Sequence, residues 1–255
     1  VKEVISGRDL WQRILEMRMM TGEPYIHFID RSNENLPYWL KERGMTIKQS
    51  NLCSEIILPT DEDRTAVCCL SSLNLEYYNE WSKDKQFLRD VLEMLDNVLQ
   101  RFIDDAPDSI SRAKFSASRE RSIGVGALGF HAYLQKMNMP FESAIAKSTN
   151  MRIFKHIRKG LDDANIELGK IRGEAPDAEG TGRRCSHVMA IAPNASSSII
   201  MGNTSPSIEP WRANAYRQDT LSGSYLNKNK YLDVLIQQKC EEDPSLDYDK
   251  IWRDI

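Results

Sequence analysis

Apolar residues recur at helical spacing over much of the chain. Leu10, Ile14 and Met17 form one face of a first helix, which Gly22 ends by favouring a left-handed cap. A longer apolar stripe keeps the same period over residues 87–103. The pattern also predicts a helix over residues 154–168, one from about residue 123, and weaker ones over 231–239 and 248–255.

Short apolar segments between these helices predict strands. The candidates are residues 25–29, 51–58, 66–75 and 188–192. A charged turn separates 51–58 from 66–75, so these two segments could pair as a hairpin. Strands that alternate with helices predict an α/β fold.

The composition is that of an ordinary folded chain. Of 255 residues, 41% are hydrophobic and 28% charged, which is enough for a sizeable core in one or two domains. The formal net charge of -3 argues against a nucleic-acid or membrane-surface partner. No apolar run approaches the roughly 18 residues of a membrane span, and the first residues do not form a signal peptide. These features predict a cytoplasmic protein.

The cysteines favour thiol chemistry in a reducing compartment. There are 5 of them, an odd number, and no CxxC pair, so neither a dense disulfide framework nor a zinc site is expected. The 4 histidines are scattered without ligand spacing. We therefore expect no metal site built from this chain alone.

The most informative stretch surrounds Cys53. On an extended strand, alternate side chains share a face about 6.6 Å apart, at roughly 3.3 Å per residue. Asn51, Cys53 and Glu55 would then place an amide, a thiol and a carboxylate in one row that could bracket a sugar-sized substrate. Cys68 and Cys69 follow in the next predicted strand, where only one of them can share the face of Cys53. The alternative is that these cysteines are small buried core residues.

A second candidate site follows the predicted strand 188–192. A polar loop there leads into a helix, and the first backbone N–H groups of a helix have no partner inside it. Serine hydroxyls can add further donors, so a phosphate group is the natural guest. The alternative is an ordinary serine helix cap. The residues of this loop are Asn194, Ala195, Ser196, Ser197 and Ser198.

Gly124, Gly126 and Gly129 match the G-x-G-x-x-G fingerprint of dinucleotide-binding folds. That motif needs a buried strand directly before it, whereas the preceding residues 116–121 are polar and charged. We therefore expect the glycines to allow close packing of helices. A nicotinamide-dependent dehydrogenase is kept as an alternative function.

Several motifs occur together in the order seen in the large subunits of ribonucleotide reductases, which the chain resembles from about residue 8 to its end. The family fold is a ten-stranded α/β barrel with the radical cysteine on an internal loop. The resemblance implies that residues 1–255 are a portion of that barrel domain. The motifs are Asn-Leu-Cys-x-Glu at 51–55, Val-Cys-x-Leu-Ser at 67–71, Arg-Ser-Ile-Gly-Val-Gly at 121–126, Ala-Pro-Asn-Ala-Ser at 192–196, and the run 202–210 followed by Asn214, Tyr216 and Arg217.

The resemblance implies catalytic roles for four residues. Cys53 would become the thiyl radical that takes the 3′ hydrogen of the ribose. Glu55 would act as base on the 3′ hydroxyl, and Asn51 would hydrogen-bond the substrate nearby. Cys68 would be one half of the reducing dithiol, with Cys69 facing the other way.

Substrate contacts follow from the same resemblance. Ser50 and Leu52 would join Asn51 and Glu55 in contacting the substrate beside the radical cysteine. The loop 194–198 would hold its phosphates, and the substrate would be a ribonucleoside diphosphate.

Partners and cofactors are implied in the same way. Leu52 beside the radical cysteine resembles the oxygen-dependent class, in which a separate small subunit holds a di-metal centre and a tyrosyl radical. No cofactor is then expected in this chain, and thioredoxin or glutaredoxin would supply the external dithiol. A cobalamin-dependent reductase and a non-catalytic scaffold that retains the fold are the alternatives.

The resemblance also implies that this chain needs further polypeptide. In the family, the second reducing cysteine and the specificity loops belong to an N-terminal portion, and the radical-relay tyrosines and shuttle cysteines to a C-terminal one. The sequence begins at Val1 rather than at methionine, which suggests a fragment, a processed chain or an alternative start codon. We expect either a split-gene product completed by partner chains or a fragment, inactive alone in both cases.

Overall fold

The computed structural model describes residues 4–255, the side chain of Thr220 excepted. Its strands are β1 (Leu70–Asn74), β2 (Gly124–Leu128), β3 (Ala215–Thr220) and β4 (Gly223–Lys228). Its α-helices are α1 (Gly7–Thr21), α2 (Ile29–Glu34), α3 (Tyr38–Lys41), α4 (Tyr78–Trp81), α5 (Phe87–Asp105), α6 (Ser111–Glu120), α7 (Phe130–Lys136), α8 (Ala144–Arg172), α9 (Ala195–Ile200), α10 (Lys230–Glu242) and α11 (Tyr248–Asp254). None of these helices is both long and apolar enough to cross a membrane.

The first predicted helix is confirmed as α1. The hydroxyl of Ser6 accepts a hydrogen bond from the N–H of Asp9 at its start, and Gly22 ends it with a φ of 79°. Only glycine adopts that left-handed conformation without steric cost. None of the residues of α1 is fully buried, so its apolar side is not part of the core.

Helices α5 and α8 pack against each other and form most of the core. Leu92 and Leu99 of α5 meet Ile157 and Leu161 of α8, and all four are at most 1% exposed. Burying side chains of this size stabilises the fold by about 1.5–3 kcal/mol each. The apolar stripes that predicted these two helices are therefore the surfaces that build the core.

The parallel strands lie beneath this helix pair. β1 and β2 pair from Leu70 opposite Gly124 to Asn74 opposite Leu128. An isolated parallel bridge joins Val125 to Met189, so the predicted strand 188–192 runs beside β2, although it forms no regular strand. The α/β prediction is confirmed, with helices α5 and α6 on the crossover from β1 to β2.

Other secondary-structure predictions are wrong. Residues 25–28 form no strand, and α2 begins at Ile29. Residues 51–58 contain a turn and do not pair with 66–75, so the predicted hairpin does not form. The helix predicted from residue 123 is instead β2. The hairpin of β3 and β4 was not predicted, because its strands lack an apolar face in the sequence.

Gly124 and Gly126 lie inside β2, which follows helix α6, and Gly129 caps the start of α7. The glycine fingerprint is therefore not a dinucleotide loop. The expectation that the glycines allow helices to pack is wrong for Gly124 and Gly126, because these two allow close approach of the chain at residue 190. A Cβ on Gly124 would lie 2.7 Å from that of Ala190, and one on Gly126 would meet the carbonyl oxygen of Ala190.

We expect Gly126→Ala to destabilise the fold by about 1–3 kcal/mol, because the strand beside β2 must move to admit the methyl group. Urea unfolding followed by circular dichroism measures this change. Gly7→Ala is the matched control, since a Cβ there meets nothing within 4 Å. Equal urea concentrations at the unfolding midpoint of the two variants would contradict this packing.

A buried ionic cluster ties the Arg-Ser-Ile-Gly motif to the helix pair. Asp96 of α5, 1% exposed, accepts hydrogen bonds from Arg121 (2.6 Å), Arg172 (2.8 Å) and Arg184 (3.1 Å). Arg121 ends α6 in a left-handed conformation with a φ of 49°. The motif residue Arg121 thus joins α6 to α5, and through Asp96 to the end of α8.

Candidate active site

Cys53 lies in a tight turn rather than on a strand. The N–H of Asn51 donates to the carbonyl of Ile56 (3.1 Å), and the N–H of Ile56 donates to Oδ1 of Asn51 (3.0 Å). Ser54 adopts a φ of 67°, which reverses the chain directly after Cys53. The predicted row of Asn51, Cys53 and Glu55 on one strand face is therefore wrong. The side-chain oxygen of Asn51 instead holds the turn closed.

The turn projects its two central side chains outward. Leu52 is 89% exposed, and Cys53 is exposed with a free thiol. Ser50 is half-buried, and its hydroxyl donates to the carbonyl of Asn51 (3.0 Å). Cys53 therefore lies on a loop, and its thiol is exposed in this chain.

Cys68 and Cys69 face opposite sides, as predicted. Cys69 is buried in the core, with its sulfur 3.7 Å from the carbonyl oxygen of Leu95. Cys68 is exposed, and burial of its sulfur, then Glu55 and then Cys53 raise the pKa of its thiol. Cys53, Glu55 and Cys68 therefore lie close enough to interact electrostatically, although no hairpin joins their segments.

A cavity of about 180 Å³ lies beside these groups. Its polar lining includes Glu55, Cys68, Ser122 and His187. The Oε2 atom of Glu55 is buried and has no hydrogen-bond partner among the described residues. A buried carboxylate oxygen without a partner carries a large desolvation cost, which a bound hydroxyl group or water would relieve.

The second predicted site lies at the other end of the parallel strands. Cys68 precedes β1, whereas the loop 194–198 follows the segment 188–192. Asn194 is buried, and its side-chain amide donates to the carbonyls of Ala192 (2.7 Å) and Ala127 (3.3 Å). The loop leads into helix α9 as predicted, but the segment 188–192 forms only an isolated bridge instead of a strand, and the structure does not bring this loop to the cavity.

The serines of that loop differ in their surroundings. Ser196 and Ser197 are exposed in the first turn of α9. Ser198 is buried, and its hydroxyl donates to the carbonyl of Ala195 (3.0 Å). Ser196 and Ser197 are therefore the serines whose hydroxyls face solvent.

Sequence reasoning missed three linked polar residues, of which Ser122 and His187 line the cavity and Glu120 lies behind Ser122. Glu120, 2% exposed, accepts hydrogen bonds from the hydroxyls of Ser116 (3.0 Å) and Ser122 (3.2 Å). Ser122 is in turn 2.9 Å from Nδ1 of His187. Burial raises the pKa of Glu120 to about 7 and lowers the pKa of His187 to about 4.

Backbone pairing brings these distant residues together. Ser186 donates its N–H to the carbonyl of Glu120 (3.0 Å), and Ile123 donates to the carbonyl of His187 (3.1 Å). A lone serine and a lone histidine in sequence carry no signal for such a pairing. No group of three acidic, histidine or cysteine side chains within residues 4–255 is arranged to hold a metal ion.

Comparison with known proteins assigns the class. A family model described as "Ribonucleotide reductase, barrel domain" matches residues 1–181 and 176–249. The chain belongs to this family, and its α/β fold is part of the family's barrel.

Individual relatives agree with this assignment. The large subunit of ribonucleoside-diphosphate reductase from Invertebrate iridescent virus 3 is 56% identical over 255 residues, covering 100% of this chain and 40% of the relative. The Caenorhabditis elegans large subunit is 31% identical over 266 residues, covering 91% of this chain and 33% of the relative. The solved structure of the Actinobacillus ureae class Id ribonucleotide reductase alpha subunit superposes with a TM-score of 0.87 at 39% identity, covering 97% of this chain and 45% of that one. The chain therefore spans less than half the length of these relatives.

Proposed function

We propose that this chain is the part of a ribonucleoside-diphosphate reductase large subunit that carries the radical cysteine. One observation supports this most strongly: the exposed thiol of Cys53, the thiol of Cys68 and the unpartnered carboxylate oxygen of Glu55 meet beside one cavity. The two relatives described above are large subunits of ribonucleoside-diphosphate reductase.

The three groups divide the chemistry between them. As a thiyl radical, Cys53 takes the hydrogen atom from C3′ of the ribose, so that an S–H bond forms as a C–H bond breaks. Glu55 accepts the proton of the 3′ hydroxyl through its free oxygen. Cys68 and a second cysteine supplied by the rest of the large subunit provide the two reducing electrons and become a disulfide.

The remaining substrate contacts extend this proposal. Ser50, Asn51 and Leu52 border the ribose through the turn that presents Cys53. The diphosphate lies toward the loop 194–198, where the first N–H groups of α9 and the exposed hydroxyls of Ser196 and Ser197 are donors. Asn194 and Ser198 hold the loop in shape through their internal hydrogen bonds. Ala195 contributes its backbone N–H, which is the first of helix α9.

The radical comes from a separate protein in this proposal. Similarity to a class Id alpha subunit favours a small subunit with a metal centre over cobalamin. Thioredoxin or glutaredoxin then restores the dithiol. All five cysteines are free, which supports a reducing compartment such as the cytoplasm. The relatives' remaining length supplies the rest of a barrel domain to which residues 1–255 belong.

Complementation tests this function. The chain is co-expressed with the N-terminal and C-terminal portions of a relative and with a small subunit, and conversion of ribonucleoside diphosphate to the deoxy form is measured. We expect activity only when all parts are present. Full activity in the absence of this chain, or none with any combination of parts, would overturn the proposal.

Glu55→Gln is expected to lower kcat of the complemented enzyme by about 10²- to 10⁴-fold, the usual contribution of a positioned base. The amide keeps the shape of the carboxylate but cannot accept the proton. Steady-state kinetics measures this, and we expect KM to change little. The control is Glu62→Gln, on an exposed turn, which should leave kcat unchanged. An unchanged kcat for Glu55→Gln would remove the residue from the mechanism.

A further inference from the structure

Glu120, Ser122 and His187 form a continuous hydrogen-bond chain that ends at the active-site cavity. Ser122 connects the other two, at 3.2 Å from Oε2 of Glu120 and 2.9 Å from Nδ1 of His187. Ser122 and His187 both line the cavity beside Cys68. No role for this chain of groups follows from the motifs in the sequence.

The hydroxyl of Ser122 gives this row of hydrogen bonds a direction, because it has a single proton to donate. When Glu120 is ionised, Ser122 donates to it and accepts from Nδ1–H of His187, which leaves Nε2 as a proton acceptor. When Glu120 is protonated, it donates to Ser122, which donates to Nδ1, and Nε2 then carries the hydrogen. The charge of Glu120 therefore decides whether His187 is a base or a hydrogen donor at its other nitrogen.

The cavity supplies the connection to Cys68. Its volume of about 180 Å³ is ample for several water molecules, and Glu55 and Cys68 add polar groups that water requires. Formation of the Cys68 thiolate would also be helped by a nearby base. Burial and the neighbouring Glu55 raise the pKa of its thiol, whereas thiol–disulfide exchange proceeds through the thiolate.

We propose that Glu120, Ser122 and His187 are a proton relay that takes up the proton of Cys68 when its thiolate forms and returns it afterwards. The S–H bond of Cys68 breaks, and through cavity water an N–H bond forms at Nε2 of His187. The Nδ1 proton passes to Ser122, and the serine proton passes to Glu120. No electron moves in these steps. The inference rests on the proposed function, in which Cys68 is a redox thiol.

The charged groups around Glu120 keep its proton affinity within a useful range. Burial, the largest effect, raises its pKa, and Asp177 raises it further. Ser116 and Arg64 lower it, the latter with its guanidinium 3.5 Å from Oε1. The resulting pKa of about 7 lets Glu120 gain and lose a proton near neutral pH.

The charged groups around the other end of the relay are fewer. Arg158 contributes to the lowered pKa of His187 after burial, so the imidazole is neutral at neutral pH. Glu55 and Cys53 are the ionisable groups that act on Cys68. Glu120 is therefore the group of the relay that titrates near neutral pH.

The test is the rate at which iodoacetamide alkylates Cys68 in the full chain, followed by peptide mass spectrometry as a function of pH. We expect the rate to rise through a step near pH 7 as Glu120 ionises and Nε2 of His187 becomes free. Glu120→Gln should abolish the step. His187→Leu should abolish it and slow alkylation above neutrality by roughly 10²-fold, the lower end of what a positioned base contributes.

Ser122→Ala separates a relay from a structural role, because it keeps both titrating side chains and removes only the link. We expect it to lose the step as well. His156→Leu is the control, since His156 bonds Tyr78 away from this cavity. A step that persists in Ser122→Ala or in Glu120→Gln overturns the relay. Failure of complementation with the step intact would instead count against the proposed function alone.

Discussion

Cys53→Ser is expected to lower the reductase activity of the complemented enzyme by at least about 10³-fold, or about 4 kcal/mol of transition-state stabilisation. An O–H bond is harder to break than an S–H bond, so the radical source in the proposed function would not oxidise a serine in place of the thiol. The structure makes the substitution selective, because Cys53 is exposed in its turn and contributes nothing to the core. The fold should therefore survive, so that the loss reports chemistry.

A second thiol provides the matched control. Cys240 is half-buried on α10 and lies outside the cavity lining. Cys240→Ser should retain the activity of the unmodified chain in the same preparation. If Cys53→Ser kept more than about a tenth of that activity, the assignment of the radical site would be wrong.

Asp96→Asn is expected to lower the free energy of unfolding by about 3 kcal/mol. Asp96 neutralises Arg121, Arg172 and Arg184, and its removal leaves guanidinium charges facing one another. Breaking a buried ion pair at one partner costs about 3–5 kcal/mol. We place this variant at the lower end, because the side chain of Arg172 is 27% exposed and is also paired with Glu93. Urea unfolding measures the change.

The pH dependence of stability offers a second measurement on the same cluster. Burial raises the pKa of Asp96, but hydrogen bonds from Arg121 and Arg172 outweigh it and hold the pKa below its usual value of 3.8. The contribution to stability is therefore complete above about pH 4 and is lost as the pH falls through the lower pKa of the folded state. Asp96→Asn should lack this acid-dependent loss.

The control for this cluster is an exposed ion pair. Asp163 pairs with Lys159 on the surface of α8, and Asp163→Asn should change stability by less than about 0.5 kcal/mol. Equal effects of the two substitutions would show that the buried cluster contributes no more than a surface pair.

Periodicity predicted α5 and α8 well, because each of these long helices buries one apolar stripe. The stripes of α5 and α8 became the core, and Gly22 ended α1 as expected. Periodicity failed for β2, which is buried along its whole length. A short strand buried on both faces shows no alternation, so its apolar residues and glycines resemble the start of a helix.

For the candidate site, the sequence predicted which residues lie near one another better than it predicted their geometry. The sequence identified Cys53, Glu55 and Cys68, and the structure places them together by a different route. The left-handed Ser54 makes a turn where an extended strand was expected, because a single serine gives little warning of that conformation. The link from Glu120 to His187 needed tertiary structure, since it depends on backbone pairing between segments far apart in the chain.

The most direct test of the central claim is the fate of the 3′ hydrogen. Equal amounts of ordinary and 3′-deuterated ribonucleoside diphosphate are given to the complemented enzyme, and the isotopic composition of the early product is measured by mass spectrometry. If Cys53 takes the hydrogen atom from C3′, we predict a product depleted in deuterium relative to the substrate mixture. Product with the same isotopic composition as the substrate mixture would contradict hydrogen abstraction by this chain.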